Sequence, residues 1–158
     1  MSRSAVYAAE DQWSAVLDRG GVVDFFGSRM DVPMQRRFGD LDSVRRYVDA
    51  VLALPGVVEE WSPAPVHVRE RAGQAKAHYE PAGHTIAVPL KEMWAAREAV
   101  LLHEIAHHLC AAPKGVDWHG PAYVRAMCTL VGIVLGDAAA LLLRAGYAEA
   151  GVHVPGDR

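Results

Sequence analysis

His103, Glu104 and His107 form an H-E-x-x-H motif, His-Glu-Ile-Ala-His, within an apolar stretch of the chain. On an α-helix, positions i and i+4 lie about 40° apart around the axis and one turn apart along it, so both imidazoles reach one ion. Glu104 is rotated about 100° from His103, near the ion but too far round to ligate it easily. Its carboxylate is left to take a proton from a water on the ion, which is hydrolytic chemistry, and zinc is the expected metal. A chance H-E-x-x-H in a chain of this composition has a probability of roughly 2%. Val100, Leu101, Leu102, Ile105 and Leu109 make the helix apolar almost all round. Burying two histidines and a glutamate there without a metal would cost several kcal/mol, so the motif is read as a metal site with Glu104 as general base.

A catalytic zinc needs a third protein ligand and an open position. His119 is the first candidate, because residues 112–115 contain the Pro and Gly that end a helix and return the chain. Gly120-Pro121 then starts the next helix with Pro in its favoured first turn. Asp117 is the second candidate. His108 lies about 140° from His103 around the helix and is expected to point away from the ion. His84 and His153 remain further site candidates. Tyr123, Tyr147, His84 and Arg125 are all open as the donor that stabilises an oxyanion.

The elements that must position these groups follow from patterning. Val6, Ala9, Trp13, Val16 and Leu17 predict a helix stopped by Gly20 and Gly21, and Val22 to Phe26 a strand. The span from Gly27 to Gly39 reads as loop. Asp40 and Asp42 offer N-caps to a helix carrying Val44, Tyr47, Val48, Val51 and Leu52, which Pro55 and Gly56 end. Val66 to Arg71, Ala75 to Glu80 and His84 to Val88 read as an antiparallel meander, with Val66 and Val68 facing inward and His67 and Arg69 outward. Helices are expected over Leu90 to Cys110, Pro121 to Leu135 and Ala138 to Ala148, the last capped by Asp137. The fold class is α+β: a small antiparallel-rich sheet packed against helices, as one domain over residues 1–158. Residues 1–60 form a helix-strand-helix portion to which no motif gives a role.

Composition narrows the classes. At 158 residues, 51% hydrophobic and 22% charged, the chain has the material for a packed core. A net charge of −3 and the lack of any Lys/Arg run longer than a pair argue against nucleic acid as a partner. Cys110 and Cys128 form no C-x-x-C, which excludes a zinc ribbon. Glu10, Asp11, Asp18 and Arg19 occupy the place where a secretory signal would be apolar, and the run from Ala126 to Leu135 is too short to span a bilayer. A cytoplasmic protein with no membrane partner is expected.

Together, His103-Glu-Ile-Ala-His107 and His119-Gly-Pro-Ala-Tyr123 resemble the zincin metallopeptidases, and within them the SprT-like branch. The likeness covers about Thr85 to Leu135, and the chain is also similar to small bacterial proteins known only as metallohydrolases. The resemblance implies a zincin-like fold with the metal on the central helix, His103, His107 and His119 as zinc ligands, Glu104 as general base, and the strand Thr85 to Val88 beside the cleft. It departs from relatives that act on DNA-bound proteins, which carry a zinc ribbon or basic segments. Metzincins are excluded, since Cys110 and Pro113 stand where that class needs Gly and His.

The resulting expectation is a zinc-dependent hydrolase, a metallopeptidase acting on a peptide or protein, with a free edge at Thr85 to Val88 pairing with an extended substrate. In that arrangement Ile86 and Val88 face the metal helix. The alternatives are a non-catalytic module in which His108 or Cys110 closes a structural zinc site, and a hydrolase for a non-peptide amide.

Overall fold

The computed structural model describes residues 3–93, 96–110 and 118–156. In chain order the elements are α1 (Arg3–Arg19), β1 (Gly21–Phe25), β2 (Ser28–Val32), β3 (Arg37–Phe38), α2 (Leu41–Leu52), α3 (Pro55–Trp61), β4 (His67–Glu70), β5 (His78–Glu80), a 3-10 turn (Pro81–Gly83), β6 (Thr85–Val88), α4 (Leu90–Met93), β7 (Ala96–Arg97), α5 (Glu98–Cys110), α6 (Pro121–Leu135) and α7 (Asp137–Glu149). The α+β class and the small, mostly antiparallel sheets agree with expectation. Among the described residues, no helix is long and apolar enough to cross a membrane. The chain divides into two compact units, Met1–Gln35 with Ala112–Arg158, and Arg36–Ala111.

In the first unit, α1 buries Val6, Ala9, Glu10, Trp13 and Leu17 as one stripe, and packs against α7. Trp13 donates its indole N–H to the carbonyl of Ala139 at 3.0 Å, which satisfies a polar group that would otherwise be buried unpaired. α6 runs over the expected residues and packs against α7. Asp137 lies in the first turn of α7, and Gly136 takes the N-cap position expected for Asp137. β1 and β2 form a hairpin pairing Gly21 with Val32 and Phe25 with Ser28. The expected loop over Gly27 to Gly39 is thereby corrected, since it contains β2 and β3. Phe26 (φ 50) and Gly27 (φ 84) make the turn with both residues left-handed, a conformation rare enough for Phe to hide the hairpin from a sequence reading.

In the second unit, Asp40 caps α2 by accepting from the Ser43 amide at 2.7 Å, and Val44, Tyr47, Val48 and Val51 form the buried face. Pro55 and Gly56 end α2 as expected, but Pro55 also opens α3 from the first helical position. The three strands do not form a meander. Their order is β4-β6-β5, with β4 parallel and β5 antiparallel to β6. Residues 71–84 supply the crossover that parallel pairing requires. Alternation marks a segment as a strand without naming its neighbour.

That order overturns the free edge expected at Thr85 to Val88. β4 pairs along all of it and β5 along Thr85 to Ala87, so its backbone groups are taken on both sides. Ile86, Ala87 and Val88 are all fully buried. β4 keeps the expected alternation, with Val68 in and His67 and Arg69 out. The expected helix over Leu90 to Cys110 is also corrected: α4 ends at Met93, β7 pairs with β3, and the metal-motif helix begins at Glu98. The Glu98 carboxylate fixes that start. It accepts from the Arg36 amide at 2.9 Å and the Tyr47 hydroxyl at 2.6 Å, while the Glu98 amide donates to the Arg36 carbonyl at 2.9 Å.

Candidate metal centre

α5 carries the motif on a helix buried on nearly every side, from Leu101 through Leu109. His103 and His107 lie one turn apart with ring centroids 4.9 Å apart and ring planes at 73°. Their Nε2 atoms approach to 3.2 Å. Two nitrogens bound to one zinc at 2.0–2.1 Å and a tetrahedral angle stand about 3.3–3.4 Å apart, so the pair has the spacing of two ligands to one ion. Glu104 follows His103 on the same helix and is buried.

His119 stands immediately before α6, where Gly120 is extended and Pro121 occupies the first helical position. Its ring is 5.2 Å from that of Tyr7 and 5.2 Å from that of Tyr123. His103, His107 and His119, all buried, each offer one ligand atom, and these atoms lie within 4.8 Å of one another. Three buried imidazoles this close could hold a metal ion, and neutral imidazole suits zinc and several other transition metals. The proposed return at 112–115 and the second candidate Asp117 lie outside the described residues.

His108 behaves as its position on the helix implied. Its Nε2 is 2.7 Å from the Ala64 carbonyl, which can only accept, so Nε2 carries the proton and Nδ1 is the acceptor. The Tyr79 hydroxyl donates to that Nδ1 at 2.8 Å and accepts from Nδ1 of His84 at 3.1 Å. Burial, followed by the charge of nearby His84, pushes His108 below the ordinary imidazole value against the opposing effect of the Ala64 bond. With both nitrogens engaged, His108 does not offer the fourth ligand of a closed zinc site. The Cys110 thiol lies 3.7 Å from the His107 carbonyl.

Of the remaining candidates, His153 and Arg125 are exposed, and His84 is exposed apart from its bond to Tyr79. Tyr123 and Tyr147, the other two candidates, both turn their hydroxyls to Glu10. Each donates its single hydroxyl proton to Glu10, at 2.7 Å and 2.6 Å. Burial and then the Glu10 carboxylate hold the Tyr147 hydroxyl far above its ordinary pKa, which keeps it a donor.

Glu10 was missed by the sequence reading, although a signal existed. It interrupts the apolar stripe of Val6, Ala9, Trp13 and Leu17, where a lone carboxylate implies buried partners. Glu98 was missed for a related reason, since its partners Arg36 and Tyr47 lie far back in the chain. No protein-family model, curated protein or solved structure matches the chain.

Proposed function

We propose that the protein is a zinc-dependent hydrolase of the zincin type that cleaves peptide or other amide bonds in the cytoplasm. The observation that carries this reading is the set of three buried histidines, His103, His107 and His119, with ligand atoms within 4.8 Å. Glu104, buried beside the first of them, gives the set a use beyond holding a metal. The SprT-like resemblance of residues 103–107 and 119–123 supports the same assignment, and the free cysteines Cys110 and Cys128 suit a reducing compartment.

When bound, zinc supplies a water acidic enough to attack at neutral pH and polarises the carbonyl under attack. His103, His107 and His119 would hold the ion. Glu104 would take the proton of the attacking water and deliver it to the leaving amine, so that a neutral amine departs. Pairing on both edges of β6 withdraws the reason for preferring an extended peptide laid along that strand. The proposal is therefore for an amide bond, with peptides as the first substrates to assay. The rival structural zinc site is disfavoured by His108, whose nitrogens serve Ala64 and Tyr79.

Glu104→Gln tests the assignment, because the amide keeps the size of the side chain but cannot accept the proton. The variant is expected to bind zinc like the parent and to lose about 10²–10⁴-fold in hydrolysis of a fluorogenic peptide panel. Full activity would remove Glu104 as the base. Loss of zinc would make it a ligand.

A further inference from the structure

Glu10 has no part in the reaction just described, yet it is a carboxylate only 6% exposed on the apolar stripe of α1. Such a group is costly unless hydrogen bonds replace its water, and here the hydroxyls of Tyr123 and Tyr147 do so. The two tyrosines differ in one respect. Tyr123, one turn beyond His119, sets its ring 5.2 Å from the imidazole at 69°, whereas Tyr147 has no ring contact with His119 among those described. Tyr7 adds a second ring 5.2 Å from His119 at 53°, and it lies three positions before Glu10 on α1.

We propose that Glu10 is a positioning residue for His119, acting through the hydroxyl of Tyr123, and that α1 thereby sets the imidazole for the metal. This rests on the reading of His119 as a ligand. Gly120 and Pro121 fix the backbone after His119, which leaves the orientation of its ring to its neighbours. The tether to Glu10 holds the Tyr123 ring in one place, and Tyr7 is carried by the same helix. A histidine ligand works best when its ring is held before the ion arrives, and loss of such support typically costs 10–100-fold in metal affinity. The portion of the chain before residue 60, to which no motif gave a role, acquires one.

If the bond merely tied α1 to the rest of its unit, loss of either hydroxyl would be felt in folding and not in metal affinity, since each contributes one to Glu10. Zinc affinity by chelator competition, the Co²⁺ absorption spectrum and the melting midpoint without metal are measured for the parent, Tyr123→Phe, Tyr147→Phe, Glu10→Gln and His119→Ala. The metal-free midpoints of the two Phe variants are expected to fall alike. Zinc affinity is expected to fall about 10-fold or more in Tyr123→Phe and Glu10→Gln, with an altered Co²⁺ spectrum, and to stay within about twofold in Tyr147→Phe. Equal affinities for the two Phe variants, or parental affinity in Glu10→Gln, would overturn the positioning role. Parental affinity in His119→Ala, or a parent that takes up no zinc, would overturn the ligand assignment itself and this inference with it.

Discussion

The Tyr47 hydroxyl donates to the Glu98 carboxylate at 2.6 Å, joining the buried face of α2 to the first residue of α5. Glu98 is 1% exposed, and its other near neighbours are the Arg36 amide and, at 3.7 Å, the Arg36 guanidinium. Burial first, and the Glu98 charge second, push the Tyr47 hydroxyl far above its usual pKa, so it stays protonated as a donor.

Tyr47→Phe is therefore expected to destabilise the protein by about 2 kcal/mol, because a buried carboxylate loses a donor while the ring keeps its packing. Thermal unfolding should show a midpoint lower by roughly 4–8 °C. A change of no more than about 1 °C would mean that Arg36 alone satisfies Glu98.

Metal should stabilise only the chain that keeps its ligands. Zinc at about a hundredfold excess over its dissociation constant is expected to add about 2.7 kcal/mol to the parent, visible as a higher midpoint reversed by chelator. His103→Ala should show little of this rise. An equal rise in the variant would place the binding elsewhere on the protein.

The Asp40 cap gives a pH dependence of known sign. Its bonds to Ser43 hold the carboxyl below the ordinary value of 3.8 in the folded chain. A depressed folded pKa contributes stability that is fully present above the unfolded value and is lost as pH falls through the folded one. The gap in midpoint between the parent and Asp40→Ala should hold from pH 7 to about 5 and shrink as pH drops below about 4. A gap independent of pH would show that the cap acts without its charge.

What could be read from the sequence was what is encoded locally. The helix at residues 121–135, the Asp40 cap and the spacing of His103 and His107 each depend on residues within a turn or two of one another. Strand partners were not legible, because the alternation of Val66 and Val68 is the same whether the neighbour runs parallel or antiparallel. The start of α5 was misplaced because Glu98 is set by Arg36 and Tyr47. Glu10 escaped for the same reason, its partners lying at 123 and 147.

The first unit is assembled from the two sides of an uninterrupted second one, and this has a consequence for synthesis on the ribosome. Chains emerge N-terminus first, at about 5–20 residues per second. Residues 36–111 can find one another as they appear, whereas Val6, Ala9 and Trp13 of α1 must wait for α7. During that interval α7 is not yet made to pack against the stripe. The ring of His119 meets the same schedule. Tyr7 and Glu10 are made early and Tyr123 late, so its surroundings close only near the end of translation of this segment.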